Sequence, residues 1–226
     1  RHQADLLAIY QQLRQAGYTD DRIILIVEDD IADNVSNPNK GVIQVTIGGN
    51  NVYENVEIDY RMSSLKAKDI LAILNGEKSE SLPTVIESTE NDNLFVFWSG
   101  HGVPGAMCWD EEPYAMTGDD LSTVFKDMNL KRRYRKLLMM VEACFSGGVM
   151  EQCEGIPGML FITAANGDET SKADVFNGEM KVWMSNRFTS TFIEQITDNK
   201  DVAMRDLYYR LFINTVGSHV MVYNAE

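Results

Sequence analysis

The sequence predicts an α/β domain built on a mostly parallel central sheet, and three observations carry that prediction. Three uncharged, largely apolar runs, Leu94–Trp98, Leu137–Val141 and Met159–Thr163, have the length and composition of strands buried on both faces. Segments with helical periodicity separate them, and strand–helix alternation is how a parallel sheet is connected. Two of the runs end in small-residue turns carrying a reactive side chain: Ser99-Gly100-His101-Gly102, and Glu142-Ala143-Cys144-Phe145-Ser146-Gly147-Gly148. Open α/β sheets gather their chemistry beyond the carboxyl ends of the strands. His101 and Cys144 are therefore expected to face each other at one sheet edge.

With 226 residues, 44% hydrophobic content and only five prolines, the chain is long enough to bury a full core as one domain, 1–226. No apolar run approaches the ~20 residues of a membrane span, and the first residues carry no secretory-leader pattern. A net charge of −14 with no basic stripe to offset it argues against nucleic acid or an anionic membrane as partner. The one basic run, Lys131-Arg132-Arg133-Tyr134-Arg135-Lys136, reads as a solvated loop leading into the cysteine strand. Cys108, Cys144 and Cys153 are an odd count, which leaves at least one thiol free unless it pairs between chains. The chain opens at Arg1 without an initiator methionine, as a processed or a truncated chain does.

Taken in order, Leu6, Ile9, Tyr10 and Leu13 line one face of a helix over Ala4–Ala16, and Gly17 stops it. Ile23–Val27 follows as a buried strand. A helix that opens a doubly wound domain lacks the strand that should precede it. A first strand is therefore expected upstream of Arg1, on a segment outside this chain or on a separate fragment. Glu28-Asp29-Asp30 invites a calcium reading, but without an EF-hand pattern a solvated strand end is favoured. Val42–Val45 and Val52–Ile58, around Gly48-Gly49-Asn50, resemble a hairpin. Ala67–Leu74 is a short helix ending at Gly76, and Lys78–Asn93 a surface loop. Thr117-Gly118-Asp119-Asp120 starts a helix running to about Met128. Ala164–Ser171 is a loop at the same sheet edge as the two reactive tips. Helices over 186–196 and 202–216 and a short strand over Val220–Val222 complete the chain. No internal repeat or linker marks a second domain.

A thiol becomes a useful nucleophile when its thiolate is accessible and an imidazole can move protons beside it. Gly102, lacking a side chain, lets a substrate carbonyl approach its N–H. With the Cys144 N–H it would form an oxyanion hole worth ~3 kcal/mol per donor, and Gly147-Gly148 leave room beside the sulfur. A lone strand-end cysteine is more often a small buried hydrophobe, and a lone histidine a satisfied polar residue. Two such tips in glycine settings favour a dyad instead. A zinc site from Cys108, Asp110 and Cys153 with His101 and Cys144 has no supporting ligand spacing. His219, far along the chain, is expected to be structural.

Ser99-Gly100-His101-Gly102 followed by Glu142-Ala143-Cys144 resembles the legumain family of cysteine peptidases, the asparaginyl endopeptidases, which share the caspase-like fold. The resemblance extends over nearly the whole chain, through Arg1-His2-Gln3-Ala4-Asp5, Asn51-Val52-Tyr53 with Asp59-Tyr60, Thr163-Ala164-Ala165-Asn166, and Ser218-His219-Val220-Met221. Val56-Glu57-Ile58-Asp59-Tyr60-Arg61 is nearly as similar to the catalytic subunit of the glycosylphosphatidylinositol transamidase, of the same superfamily. The resemblance implies a caspase-like three-layer αβα domain with its first strand missing from this chain. It makes Cys144 the nucleophile, His101 the proton donor to the leaving amine, and the N–H groups of Gly102 and Cys144 the oxyanion hole.

Arg1 and Glu142 match residues lining the family's specificity pocket. An asparagine carboxamide offers one acceptor and two donors, which a guanidinium and a carboxylate satisfy. The resemblance implies that His2, which follows Arg1 as in the family, supports the pocket wall, and Thr170, with Ser171 beside it, stands where the family has a serine. An acidic pocket residue has no clear counterpart between Val175 and Val182, where Glu179 is available. The family asparagine that orients the histidine falls upstream of Arg1, and the family's C-terminal prodomain has no counterpart before Glu226. The implied activity is endopeptidase cleavage after Asn, and after Asp at acidic pH, with no cofactor or metal. A transamidase or peptide ligase is the alternative, and a non-catalytic caspase-fold binding module a more remote one. Peptides or proteins are the implied substrates, the chain's own N-terminal fragment a possible partner, and an exported (secreted, periplasmic or lumenal) location is implied. A cut before Arg1 that lets the arginine swing into the pocket would activate such a zymogen by autoprocessing.

Overall fold

Apolar runs and capping residues set most of the element bounds. The computed structural model describes residues 1–109, 115–198 and 201–225. In chain order the elements are α1 (His2–Gln15), α2 (Ala67–Leu74), β1 (Asn93–Ser99), β2 (Gly102–Val103), β3 (Ala106–Cys108), β4 (Ala115–Thr117), α3 (Gly118–Leu130) and β5 (Lys136–Glu142). There follow α4 (Ser146–Met150), β6 (Met159–Thr163), β7 (Ala173–Asn177), β8 (Val182–Asn186), α5 (Arg187–Asp198), α6 (Met204–Asn214) and β9 (Met221–Tyr223). They fall into two compact units, one of residues 1–64 and 172–216, the other of residues 65–171 and 217–226.

The second unit holds the main sheet, in the order β1-β5-β6-β9. The three runs read as buried strands pair in parallel, with Ser99 level with Glu142, and β9 closes the sheet antiparallel to β6. On β5, Leu137, Met139, Met140 and Val141 are at most 1% exposed, so both strand faces are covered. The helix expected after Thr117 forms with a reciprocal cap. The Asp120 N–H donates to the Thr117 hydroxyl at 3.1 Å, and the Thr117 N–H donates to the Asp120 carboxylate at 3.0 Å. Leu121, Phe125 and Met128 recur at helical spacing and are completely buried, with the Phe125 ring 5.7 Å from that of Phe161 on β6. Directly after β1 the chain enters a small antiparallel sheet, β2-β3-β4. Strands of two or three residues are too short to show alternation, which is why sequence periodicity does not reveal them.

In the first unit, Ala4, Leu7, Ala8 and Tyr10 of α1 cluster with Leu25, Val27, Ile43 and Val52. Two expectations are corrected here. Ile23–Val27 is an extended segment rather than a sheet strand, joined to residues 59–62 by one bridge, Ile26–Tyr60, and by four backbone bonds of 3.0–3.3 Å. Only Leu25 and Val27 are buried, and the Leu25 N–H donates to the Asp59 carboxylate at 2.8 Å instead of to a strand carbonyl. The hairpin expected over Val42–Ile58 forms no ladder either. Its one backbone link is the Val52 N–H to the Ile43 carbonyl at 2.8 Å, while the Asn51 side chain accepts the N–H groups of Ile43 and Tyr53 and donates to Gly41. An asparagine side chain thus takes the place of strand pairing. A hairpin does form in this unit at β7–β8, with the Phe176 and Trp183 rings 5.1 Å apart and tilted at 58°.

The carboxylates of Glu28, Asp29 and Asp30 are held by separate donors. Glu28 accepts the Ser63 N–H, Asp29 accepts the Tyr53 hydroxyl and pairs with Arg61, and Asp30 accepts the Gln3 amide. Among the described residues no group of three or more acidic, histidine or cysteine side chains is arranged to hold a metal. Asp110, named in the zinc alternative, lies outside the described residues.

Candidate active site

The cysteine turn is shaped by one backbone reversal. After the fully buried Glu142 and Ala143 comes Cys144, half-buried, and then Phe145 in the left-handed region (φ 56°, ψ 17°), which swings the chain from β5 into α4. That conformation costs a non-glycine residue about 1–2 kcal/mol, and three hydrogen bonds offset it. The Phe145 N–H donates to the Glu169 carbonyl at 2.8 Å, the Gly147 N–H to the Ala165 carbonyl at 3.0 Å and the Gly148 N–H to the Phe145 carbonyl at 3.1 Å. The Cys144 sulfur lies 3.9 Å from the Ser171 hydroxyl. Among the described residues no carbonyl accepts the Cys144 N–H.

The histidine tip meets this turn. The Gly100 N–H donates to the Glu142 carbonyl at 3.1 Å, extending the pairing one step past the strands, and the exposed His101 accepts the Cys108 N–H on its own carbonyl at 2.9 Å. Gly102 then packs its backbone on that of Cys144. A Cβ there would collide with the Cys144 carbonyl oxygen and stand 3.2 Å from its carbon and 3.4 Å from the Ala143 Cβ. The φ of Gly102 is not positive, so this position requires the absence of a side chain rather than an unusual backbone. Gly147, expected to leave room beside the sulfur, is needed for close packing: a Cβ would lie 2.9 Å from the Asn166 backbone and 2.7 Å from the Tyr223 hydroxyl. Gly148 and Gly167 face each other in the same way, a Cβ on Gly167 lying 3.2 Å from the Gly148 Cα.

Behind the turn, the loop over 164–171 is tied to the start of β9. The Glu169 carboxylate accepts the Asn166 N–H at 3.1 Å, the His219 N–H at 2.6 Å and the His219 Nδ1 at 2.9 Å, and the Ser218 hydroxyl donates to the Ala164 carbonyl at 2.7 Å. Burial pushes the Glu169 carboxyl upward, but the hydrogen bonds from His219 and Asn166 outweigh it and hold the group below the usual carboxylate range. His219 pairs with Glu169, whose own carbonyl accepts the N–H of Phe145, the residue after Cys144. Fifty residues of separation hide that pairing from any spacing rule; the Ser218-His219 landmark is its only trace in the sequence.

The remaining expected site residues lie as follows. Thr170 is exposed, and its neighbour Ser171 is the hydroxyl close to the sulfur. Arg1 and His2 belong to the first unit, at the start of α1. The Arg1 carbonyl accepts the Asp5 N–H at 2.9 Å, and the His2 Nδ1 is 3.2 Å from the Asn186 side-chain amide, which also donates to the buried Asp5. Glu179 is exposed on the β7–β8 turn. Cys153 is a core residue: it is 0% exposed, burial raises its thiol pKa to about 12, and it faces the Gly118 carbonyl at 3.9 Å.

The chain resembles known proteins over its whole length. The chain is 30% identical to legumain from Rattus norvegicus over 233 residues, an alignment covering 100% of this chain and 53% of that protein. It is 31% identical to the vacuolar-processing enzyme of Citrus sinensis over 243 residues, covering 99% of this chain and 49% of that one. Against the vacuolar-processing enzyme of Ricinus communis it is 37% identical over 175 residues, 76% of this chain and 35% of the other. The chain thus spans about half the length of the first relatives it matches. Among solved structures, caspase-1 from Spodoptera frugiperda superposes with a TM-score of 0.52 at 12% identity, over 89% of this chain and 85% of that one. At that identity the likeness concerns the fold alone, which is α/β and caspase-like. The profile of the peptidase C13 family runs over residues 1–226, and the chain belongs to that family.

Proposed function

We propose that this chain carries the catalytic machinery of a cysteine endopeptidase that cleaves after asparagine, and after aspartate when acid neutralises that side chain. The observation that supports the chemistry best is the backbone contact of Gly102 with Cys144, which joins the histidine tip to the cysteine turn. In the proposed reaction the Cys144 thiolate attacks the scissile carbonyl, and the N–H groups of Cys144 and Gly102 donate to the developing oxyanion. His101 gives its proton to the leaving amine as the tetrahedral intermediate collapses to a thioester. Water then attacks the thioester, returns a proton to the imidazole and frees the thiolate. None of these steps calls on a metal.

The asparagine preference rests on the resemblance that assigns Arg1, His2, Glu142 and Thr170 to carboxamide recognition. Glu142 is the last residue of β5, two before the nucleophile, and is fully buried. A site built to pair with an amide rejects isosteres that would leave its buried polar groups unmatched. An exported or lumenal location fits relatives named as vacuolar-processing enzymes. Among the described residues no helix is long and apolar enough to cross a membrane.

The test is cleavage of matched fluorogenic peptides with Asn, Asp, Arg or Ala before the scissile bond, by wild type and Cys144→Ala. Turnover of the Asn peptide that disappears in the variant is the expected result. Preference for Arg would sink the carboxamide reading and leave the dyad standing. Equal cleavage by the variant would sink the dyad. Adding an amine nucleophile measures how far ligation competes with hydrolysis.

A further inference from the structure

We propose that Glu169 and His219 form a clamp that positions the nucleophile turn, holding the Cys144 N–H in place as an oxyanion donor. The proposal builds on the cysteine peptidase reading and adds two residues to it that do not touch the substrate.

Three stretches of chain meet at Glu169. Its carbonyl accepts the N–H of Phe145, the residue immediately after the nucleophile and the one in the strained left-handed conformation. Its carboxylate accepts from Asn166 within its own loop and from both the N–H and the ring of His219 at the start of β9. The peptide plane between Cys144 and Phe145 is thereby fixed by a residue that is itself fixed from two sides. Neighbouring contacts depend on the same loop: Ser171, whose hydroxyl is 3.9 Å from the sulfur, is two residues further on, and Gly167 presses on Gly148. If the carboxylate is removed, two backbone N–H groups and the imidazole lose their acceptor, and the loop is free to draw its Glu169 carbonyl away from Phe145. A strained residue released in this way relaxes toward ordinary φ, rotating the peptide planes on either side of it; the first of these carries the Cys144 carbonyl, so Cys144 shifts with it and takes its own N–H, one peptide further back, along. An oxyanion donor displaced by about 1 Å typically costs on the order of 100-fold in turnover.

The experiment compares full-length wild type with Glu169→Ala, Glu169→Gln, His219→Ala and, as control, Asp168→Ala, an exposed carboxylate one residue away. Two quantities are read: kcat and KM on the Asn peptide, and amide hydrogen exchange of the peptic fragment spanning residues 142–150. The expected result for Glu169→Ala is kcat lowered roughly 30- to 100-fold with KM within about twofold, and exchange at Phe145 at least about tenfold faster. Glu169→Gln keeps an acceptor for the two backbone N–H groups, so both readouts should return most of the way to wild type. His219→Ala should fall between them, and Asp168→Ala should match wild type. Unchanged exchange in Glu169→Ala overturns the clamp, whatever the activity. Faster exchange with unchanged kcat overturns its role in positioning. Exchange needs no substrate, so faster exchange in a protein whose wild type cleaves no peptide would count against the peptidase reading while upholding the clamp. Should Glu169→Ala fail to fold, the comparison of Glu169→Gln with His219→Ala carries the same test, and equality of both with wild type overturns the proposal.

Discussion

Replacing Gly102 with alanine isolates the contact on which the catalytic reading depends. The backbone at Gly102 is one that any residue adopts, so alanine brings no conformational penalty, only a methyl group. That methyl meets the Cys144 carbonyl oxygen, and 3.2 Å away the carbonyl carbon. Neither atom can rotate out of the way as a side-chain end does. The histidine tip and the cysteine turn must therefore part, by on the order of 1 Å, which in the proposed mechanism separates the two oxyanion donors and misaligns imidazole and thiol together. Misplacement of that size costs roughly 100-fold, and loss of a donor about 100- to 1,000-fold. The expected outcome is kcat/KM on the Asn peptide lowered about 100- to 1,000-fold, with about 1–3 kcal/mol of stability lost to overpacking. Gly100→Ala is the matched comparison. Its methyl would meet the Trp98 indole nitrogen at 3.0 Å, the edge of a side chain that can shift, so activity should fall no more than severalfold. The assay is steady-state cleavage alongside thermal melting of both variants. If a folded Gly102→Ala keeps kcat/KM within about threefold of wild type, the contact does not constrain the catalytic geometry and the reasoning fails.

Three further outcomes are expected. Alkylation of the native protein at pH 8, followed by mass spectrometry, should label Cys144 and spare Cys153, because the latter is fully buried with its thiol raised to about 12 and so holds roughly one thiolate in 10,000. Asp5→Ala strips the buried Asn186 of the acceptor for its backbone and side-chain N–H groups, and should lower stability by about 2–4 kcal/mol, read as a melting temperature roughly 5–15 °C lower. The Glu169 carboxyl is depressed in the folded protein. Its contribution to stability is therefore complete above the ordinary glutamate value of about 4.3 and disappears as pH falls through the lower folded value. The stability difference between wild type and Glu169→Gln should shrink as pH falls below about 4; a difference independent of pH from about 5 down to 3 would contradict the assigned cause.

How much was legible in advance depended on the range of the interactions involved. The strands over 94–98, 137–141 and 159–163 were readable because a strand buried on both faces cannot carry charge, a rule that acts residue by residue. Thr117 and Asp120 announced a helix start because capping is a matter of three residues. That the tip at Gly100–Gly102 meets the turn at Glu142–Cys144 follows from topology, since parallel strands of one sheet put their carboxyl ends on one edge. Where the reading failed, a single long-range partner had decided the outcome. Asp59 took the Leu25 N–H and made an extended segment of an expected sheet strand, and Asn51 replaced a hairpin ladder with side-chain hydrogen bonds.

By itself, then, the sequence determined the α/β class, the order of the parallel strands' reactive tips and the residue types available for thiol chemistry, because periodicity, capping and composition are local properties. Only the tertiary structure decided that Gly102 packs against the Cys144 carbonyl, that the Ser171 hydroxyl lies 3.9 Å from the sulfur, and that Glu169 links Phe145 to His219. Those facts depend on distances between residues tens of positions apart, and such distances come into being only when the chain closes on itself.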